Sequence, residues 1–424
     1  MVQIALMMLA AAVPLMAQAF DPDLRLRLQE AVVAARETHN IVGVSAAVLL
    51  DGELATFCAG MSHEGVPIDD QMVFGIGSNT KTLTAAAMMR LQDRGVLSID
   101  DAIGTYLPPL AHVDPEITIR QLLNHTSGLG DYATGPTYAD SIRKDPRRVW
   151  KRDELVTMIP PSQAAPGAAF DYCNTNYLLV GMIIERVTGQ PLQDVLSIQP
   201  MQLFPDTPIT GALAHRWMGG QMGRQDFSAT PMQSEWSGAW AAGAVIARAQ
   251  DLAQWYDGLF SGQHMTAAAL TEMTTVTNSS GYGLGISRLR LGDVPTIGHG
   301  GQIRGYSSIA VRVPSLQASV VVLTNCLPCN AQAVADTIIQ VLRADVTSVA
   351  WGEHDQRLLV SQVWTMDGRL LMTTPTDEEL RSLPMGVYVL QSQNDVRCVA
   401  VMSDGTLAVG TRSSGSPSGS SSTP

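Results

Sequence analysis

Apolar residues recur at helical spacing across residues 22–39, with Leu24, Leu28, Val32 and Ala35 on one stripe, which predicts an amphipathic helix. The pattern then turns strand-like in "VGVSAAVLL" (42–50) and "ELATFCAG" (53–60), and Asp51-Gly52 between them predicts a hairpin. "TLTAAAMMRL" (82–91) is apolar nearly all round, so it predicts a helix buried centrally rather than one lying on the surface. Between residues 96 and 280 the pattern is mostly helical pieces broken by Pro and Gly clusters. "GYGLGISRLRL", "VPTIGHGG", "YSSIAVRV" and "ASVVVLTN" then predict four short strands, and "AQAVADTIIQVLRA" a closing helix near residue 344. Strands at both ends with helices between them predict an α/β (α+β) fold: one antiparallel sheet, a helical subdomain, and a cleft at their junction.

Past residue 345 the composition changes. "RLLVSQVWTMDGRLLMTT" and "GVYVLQSQNDVRCVAVMSDGTLAV" predict a small β-rich module over 346–410, with turns at Asp367-Gly368 and Asp404-Gly405. The serine-rich stretch 411–424 reads as a flexible tail. At the other end, residues 1–19 read as an export signal, with the apolar "IALMMLAAAVPLM" and the small-residue pattern Ala17-Gln18-Ala19. The expected organisation is therefore signal peptide 1–19, main domain 20–345, module 346–410 and tail 411–424. The expected location is exported: periplasmic, cell-surface or secreted in a bacterium.

A formal charge of −12 without a basic stripe excludes a nucleic-acid partner, and no apolar run is long enough for a transmembrane anchor. Five cysteines are too few for a disulfide scaffold and lack zinc-ligand spacing. "CLPC" (326–329) follows a strand and reads as a loop open to a local disulfide.

The candidate chemistry starts at Lys81. The chain has 27 basic side chains, of which only Lys81, Lys144 and Lys151 are lysine. Lys81 stands three positions after Ser78 in "GIGSNTKTLTAAAMMRL", on the predicted buried helix. Residues three apart share a helix face, so the amine reaches the hydroxyl. Arginine keeps its proton in a protein, whereas a buried lysine can release it and serve as a base. A serine hydroxyl becomes a nucleophile once such a base takes its proton. Ser141-Ile142-Arg143-Lys144 repeats the spacing in "ADSIRKDPRRVW", which reads as solvated surface instead.

Two further elements join the first. Tyr172-Cys173-Asn174 offers a tyrosine to relay a proton and an amide, Asn174, to hold the substrate's acyl side. His299-Gly300-Gly301 lies on a predicted edge strand, where glycine lets a substrate backbone lie alongside. The Gln302 N–H, with that of Ser78, is positioned to form an oxyanion hole.

In these residues the chain resembles the class C β-lactamase and D-alanyl-D-alanine carboxypeptidase family of penicillin-recognising serine hydrolases, which includes esterases. The matching stretches are "FGIGSNTKTLTAAAMMRLQDRGVLSIDDAIGTYLP", "ITIRQLLNHTSGLGDY", "FDYCNTNYLLVGMIIERVTG", "GYGLGISRLR" and "GHGGQIRGYSS", over roughly residues 24–344. The resemblance implies a β-lactamase/transpeptidase-like antiparallel sheet flanked by helices, with an all-helical subdomain. It implies Ser78 as acylated nucleophile, Lys81 as general base and Tyr172 as proton shuttle. Asn174, His299, Gly301 and Gln302 fall at substrate-binding positions, and Arg304 is a candidate for a substrate carboxylate. It implies no metal or organic cofactor, and a small-molecule or peptidoglycan-type peptide substrate. His125 and Ser127 in "NHTSGLGD" read as turn residues.

The third motif opens with His299 where class C β-lactamases carry Lys-Thr-Gly, and in this it looks like the peptidase and esterase branches. The expected function is an exported serine hydrolase acting through an acyl-serine on a D-amino-acid peptide, amide or ester. The alternatives are a β-lactamase and a non-catalytic surface binding protein on the same fold. An α/β-hydrolase finds no Gly-x-Ser-x-Gly elbow here. The C-terminal "VWTMDGRLLMTT…LRSLPMGVYVLQSQNDVRCVAV" looks like the sorting domain that Bacteroidota attach to exported proteins; a plain β-module is the other reading.

Overall fold

The computed structural model describes residues 20–196, 198–204, 211–219 and 223–351, together with five strands between 362 and 410. The expected signal peptide and serine-rich tail lie outside the described residues.

The first stripe forms helix α1, Pro22–Thr38, whose Leu24, Leu28, Val32 and Ala35 are all buried. Asp21 caps it, accepting the Leu24 N–H at 2.7 Å. Strands β1 (Gly43–Leu50) and β2 (Glu53–His63) follow as a hairpin. Its turn residues Asp51 and Gly52 have φ of 49° and 81°, the left-handed pair that a two-residue turn of native twist requires. Five more strands complete the sheet: β3 (Val66–Pro67), β4 (Ser287–Leu291), β5 (Val294–Ile303), β6 (Tyr306–Val313) and β7 (Ala318–Thr324). The order is β3-β2-β1-β7-β6-β5-β4, so strands from the two ends of this domain pair directly, with Ala47 opposite Val321.

Both faces of this sheet are covered, which is why β1 reads as a continuous apolar run rather than an alternating one. On one face, Leu28 and Val32 of α1 join Val334, Ile338 and Ile339 of α5 (Ala331–Trp351) against Val44, Ala46 and Val48. Each such side chain contributes about 1.5–3 kcal/mol on leaving water. On the other face α4 (Ala249–Phe260) packs on β1 and β7. Beyond it lie α2 (Asn79–Asp93) and α3 (Asn174–Thr188) in one continuous core.

Three expectations change. The strand expected from residue 281 begins only at Ser287. Gly281 and Gly285 take φ of 80° and 70°, and a Cβ on Gly285 would stand 2.9 Å from the Lys81 carbonyl, so this stretch packs on α2 instead. The closing helix runs on to Trp351. The middle segment is not purely helical: Gln202–Leu203 and Val245–Ala247 pair beside Phe74–Gly75, and Trp217–Met218 with Gln225–Asp226 pair beside Cys326–Leu327. These strands of two or three residues are too short to show a period-2 pattern.

Cys326 and Cys329 form a disulfide. The strands Gln362–Thr365, Leu370–Thr373, Gly386–Gln391, Val396–Val401 and Leu407–Gly410 form a separate five-stranded antiparallel sheet. The two turns expected there lie outside the described residues.

Candidate active site

Helix α2 carries the site, and twelve of its fifteen residues are buried. Its polar side chains are therefore matched internally: Thr80 accepts from the Val245 N–H, while Thr82 and Thr84 donate to the Gly285 and Ala241 carbonyls. Ser78 precedes the first turn. A serine there ordinarily caps a backbone N–H, but this side chain makes no cap bond. Its Oγ lies 3.1 Å from Lys81 Nζ instead.

Lys81 is fully buried, and Nζ has two other acceptors, Asn174 Oδ1 at 2.9 Å and the Ala242 carbonyl at 2.8 Å. Burial is the largest influence on the amine and lowers its pKa from 10.5 to about 7, with Asp131 pulling in the opposite direction. A neutral amine has two hydrogens and one lone pair. Donating the hydrogens to Asn174 and Ala242 aims the lone pair at the Ser78 hydroxyl.

Asn174 is held from behind. Asp131 accepts its side-chain Nδ2 at 2.8 Å and its backbone N–H at 3.1 Å. The amide expected to hold substrate thus spans Lys81 and Asp131, although the residue still borders the pocket. The Tyr172 hydroxyl faces the Ser78 side chain, and its ring centre lies 4.8 Å from Lys81 Nζ. Crowding of its hydroxyl end raises its pKa above the usual phenol value even though 37% of the residue is exposed, so it stays protonated beside a near-neutral amine.

Strand β5 runs past Ser78, pairing with β4 only as far as Gly298 and leaving residues 299–303 with no strand on that side. A Cβ on Gly77 would lie 2.5 Å from the Gln302 N, so the amides of Ser78 and Gln302 border the same space. Gly301 sits on this unpaired edge and also takes part in packing on the face of the strand. A Cβ there would meet the Ile76 carbonyl at 2.0 Å, so the glycine lets the loop that carries Ser78 pack against the face of the strand while the in-plane edge stays free of a pairing strand. Gly300 has nothing nearer than 3.9 Å at that position.

His299 stands at the start of this unpaired edge. It is buried, with Nδ1 2.5 Å from the Gly300 carbonyl and Nε2 2.9 Å from the Tyr282 hydroxyl. Those partners put the hydrogen on Nδ1, and burial lowers the pKa to about 4. This is a neutral ring with both nitrogens occupied. Arg304, for its part, is ion-paired through Nε to Glu235 at 3.2 Å.

His125 and Ser127 sit in the loop that shapes this wall. His125 Nδ1 accepts from the Cys173 N–H and Asn176 Nδ2, and Ser127 donates to Asn176 Oδ1. Sequence reasoning missed Asp131, Glu235 and Tyr282. Asp131 directly follows "NHTSGLG" and Tyr282 lies in "GYGLGISRLR", signals that were available; Glu235 has none. The second Ser-x-x-Lys falls on Pro136–Lys144, where Ile142 is buried and lines the pocket with Arg143, so that helix is only half solvated.

The pocket against Ser78 offers about 310 Å³ and is lined by Gln302 of β5, by Gly243, and by the rings of Tyr132 and Tyr138. Among the described residues no group of three or more His, Cys, Asp or Glu is placed to hold a metal ion, and no helix is long and apolar enough to cross a membrane.

The Beta-lactamase family model matches residues 28–344. Penicillin-binding protein 4 of Amycolatopsis lactamdurans is 28% identical over 70% of this chain and 84% of its own length. Esterase EstB of Burkholderia gladioli is 32% identical over 42% of this chain; this chain spans half the length of that esterase. A D-stereospecific amidohydrolase from Streptomyces sp. superposes with a TM-score of 0.64 at 29% identity, covering 74% of this chain and 97% of that one. The family match spans the whole Ser78, Tyr172 and His299 constellation, and the chain belongs to the Beta-lactamase family of serine hydrolases.

Proposed function

We propose that this chain is an exported acyl hydrolase that cleaves a D-amino-acid amide, peptide or ester through a covalent acyl-Ser78. The observation that carries the reading is the 3.1 Å approach of Ser78 Oγ to a buried amine whose pKa falls to about 7. Lys81 takes the hydroxyl proton as Oγ attacks the substrate carbonyl carbon. The Ser78 and Gln302 N–H groups receive the oxyanion. Tyr172 donates its proton to the departing nitrogen or oxygen as the carbonyl–leaving-group bond breaks, and Lys81 restores it. Water then enters, the same groups run in reverse, and the acid leaves Ser78.

The relatives named penicillin-binding protein, esterase and D-stereospecific amidohydrolase all support acyl transfer. A neutral His299 at the third motif favours the peptidase and esterase side over β-lactam hydrolysis. We assign 20–345 to the hydrolase unit and 346–410 to a separate β-module, with a sorting domain and a plain accessory module as its two readings. The Cys326–Cys329 disulfide supports an oxidising compartment and so export.

The test is labelling of the purified protein with a fluorophosphonate or a fluorescent penicillin, with Ser78→Ala as control. Labelling is expected to vanish in the variant, and label that persists rejects the assignment. Rapid nitrocefin turnover would move the reading to a β-lactamase.

A further inference from the structure

We propose that the pocket beside Ser78 receives the acyl part of the substrate, and that Arg304, held by Glu235, selects acyl groups bearing a carboxylate. This rests on the hydrolase reading above. Tyr172 attends the departing group, and neither it nor His299 lines the pocket. The space on the other side of Ser78 is therefore the acyl side.

The wall offers little to hydrogen-bond. Tyr132 donates to the Gly238 carbonyl at 2.5 Å and Tyr138 to the Glu235 carbonyl at 3.5 Å, so both present rings rather than free hydroxyls. The charged groups decide. Glu235 Oε1 accepts the Arg304 backbone N–H at 3.1 Å and Oε2 faces Arg304 Nε at 3.2 Å, so each oxygen is already engaged. The buried Arg216 guanidinium adds its field to the same carboxylate. Little negative charge is left for a substrate ammonium.

The guanidinium of Arg304 is the unspent partner. Only its Nε is paired, its two Nη groups have no partner among the described residues, and the side chain is 33% exposed. Glu235 fixes the orientation of that fork, which matches a carboxylate in two bonds. Arg143, the other cation on the lining, pairs with Asp140 on its own helix. A space of about 310 Å³ is ample for a short acyl group. The chemistry is that of a short dicarboxylic acyl group, one carboxyl forming the scissile bond and the other meeting Arg304. A carboxylate bound there belongs to the acyl donor, not to the leaving group.

The experiment compares kcat/KM of the full chain on mono-p-nitrophenyl adipate, p-nitrophenyl hexanoate and p-nitrophenyl 6-aminohexanoate, which share leaving group and length. The adipate is expected to exceed the hexanoate by about tenfold or more, the value of a charge-assisted pair. Arg304→Gln is expected to collapse that ratio and Arg304→Lys to keep part of it. Glu235→Gln lowers it, because the fork is no longer held. Equal rates on all three, a ratio that survives Arg304→Gln, or a preference for the amino ester overturns the inference. Should Arg304→Gln misfold, the wild-type ratio and the lysine variant decide. Failure on all three esters, or turnover that survives Ser78→Ala, sinks the hydrolase reading itself and this inference with it.

Discussion

Lys81 and Asp131 are joined through one side chain rather than by an ion pair. Asn174 accepts from Lys81 Nζ at 2.9 Å and donates to Asp131 at 2.8 Å. The carboxylate acts on the amine as a field, enough to oppose burial and not enough to lock the proton on. A direct ion pair would favour the charged ammonium and remove the base.

The first prediction follows from that balance. In the free protein, kcat/KM rises with pH through about 7 as Lys81 loses its proton, and His299, neutral above about 4, adds no second limb near there. Asp131 raises the lysine, so Asp131→Asn is expected to move the midpoint to lower pH, by about one unit. A pH series on a p-nitrophenyl ester measures both, and a midpoint that stays in place or moves upward refutes the coupling.

Lys81 also ties stability to pH. Its folded pKa lies below its unfolded one, so between about 7 and 10.5 the unfolded chain binds a proton that the folded chain does not. Stability from this group is therefore greatest above 10.5 and falls as pH drops towards 7. Lys81→Met removes the penalty, so its Tm relative to wild type is expected to be higher at pH 6 than at pH 10. Thermal unfolding at the two pH values checks the sign, and a gap that is constant with pH contradicts it.

Tyr172→Phe separates the two ends of the relay. A p-nitrophenolate leaves without a proton, whereas an amide nitrogen does not. The variant is expected to lose about 10²–10⁴-fold on a D-amino-acid amide and far less on a nitrophenyl ester. Equal losses on both would assign the tyrosine to positioning alone.

Gly301→Ala tests how the nucleophile loop is seated. The new methyl meets the Ile76 carbonyl at 2.0 Å, and backbone cannot swing aside as a side chain can. A loss of about 1–3 kcal/mol in denaturant unfolding is expected, together with loss of ester turnover. Gly300→Ala, whose nearest neighbour lies at 3.9 Å, is expected to leave stability within about 0.5 kcal/mol. Equal costs at the two glycines would refute the packing account.

Local pattern carried much of this molecule. The stripe of α1, the Asp51-Gly52 turn and the unbroken apolar run of α2 were legible because each is decided within a few residues. So was Ser78 with Lys81, since one helical turn brings those positions together whatever surrounds them. Which of the two Ser-x-x-Lys pairs matters also showed, in the polarity of the neighbours.

Tertiary structure decided the rest. His299 read as a group offered to substrate, but Tyr282, remote in sequence, already engages its ring, while Glu235 takes only the Nε of Arg304 and so orients the rest of its guanidinium. Gly301 read as room for a guest along the strand edge, and the fold adds a second demand on it, the packing of Ile76 against the strand's face. Asp131 entered only once the loop after "NHTSGLG" had folded under Asn174. Sequence spacing settles what neighbours along one element can reach. The state of a proton, or whether a donor is still free, depends on every element packed around it, and that is set only when the sheet and the helices close on one another.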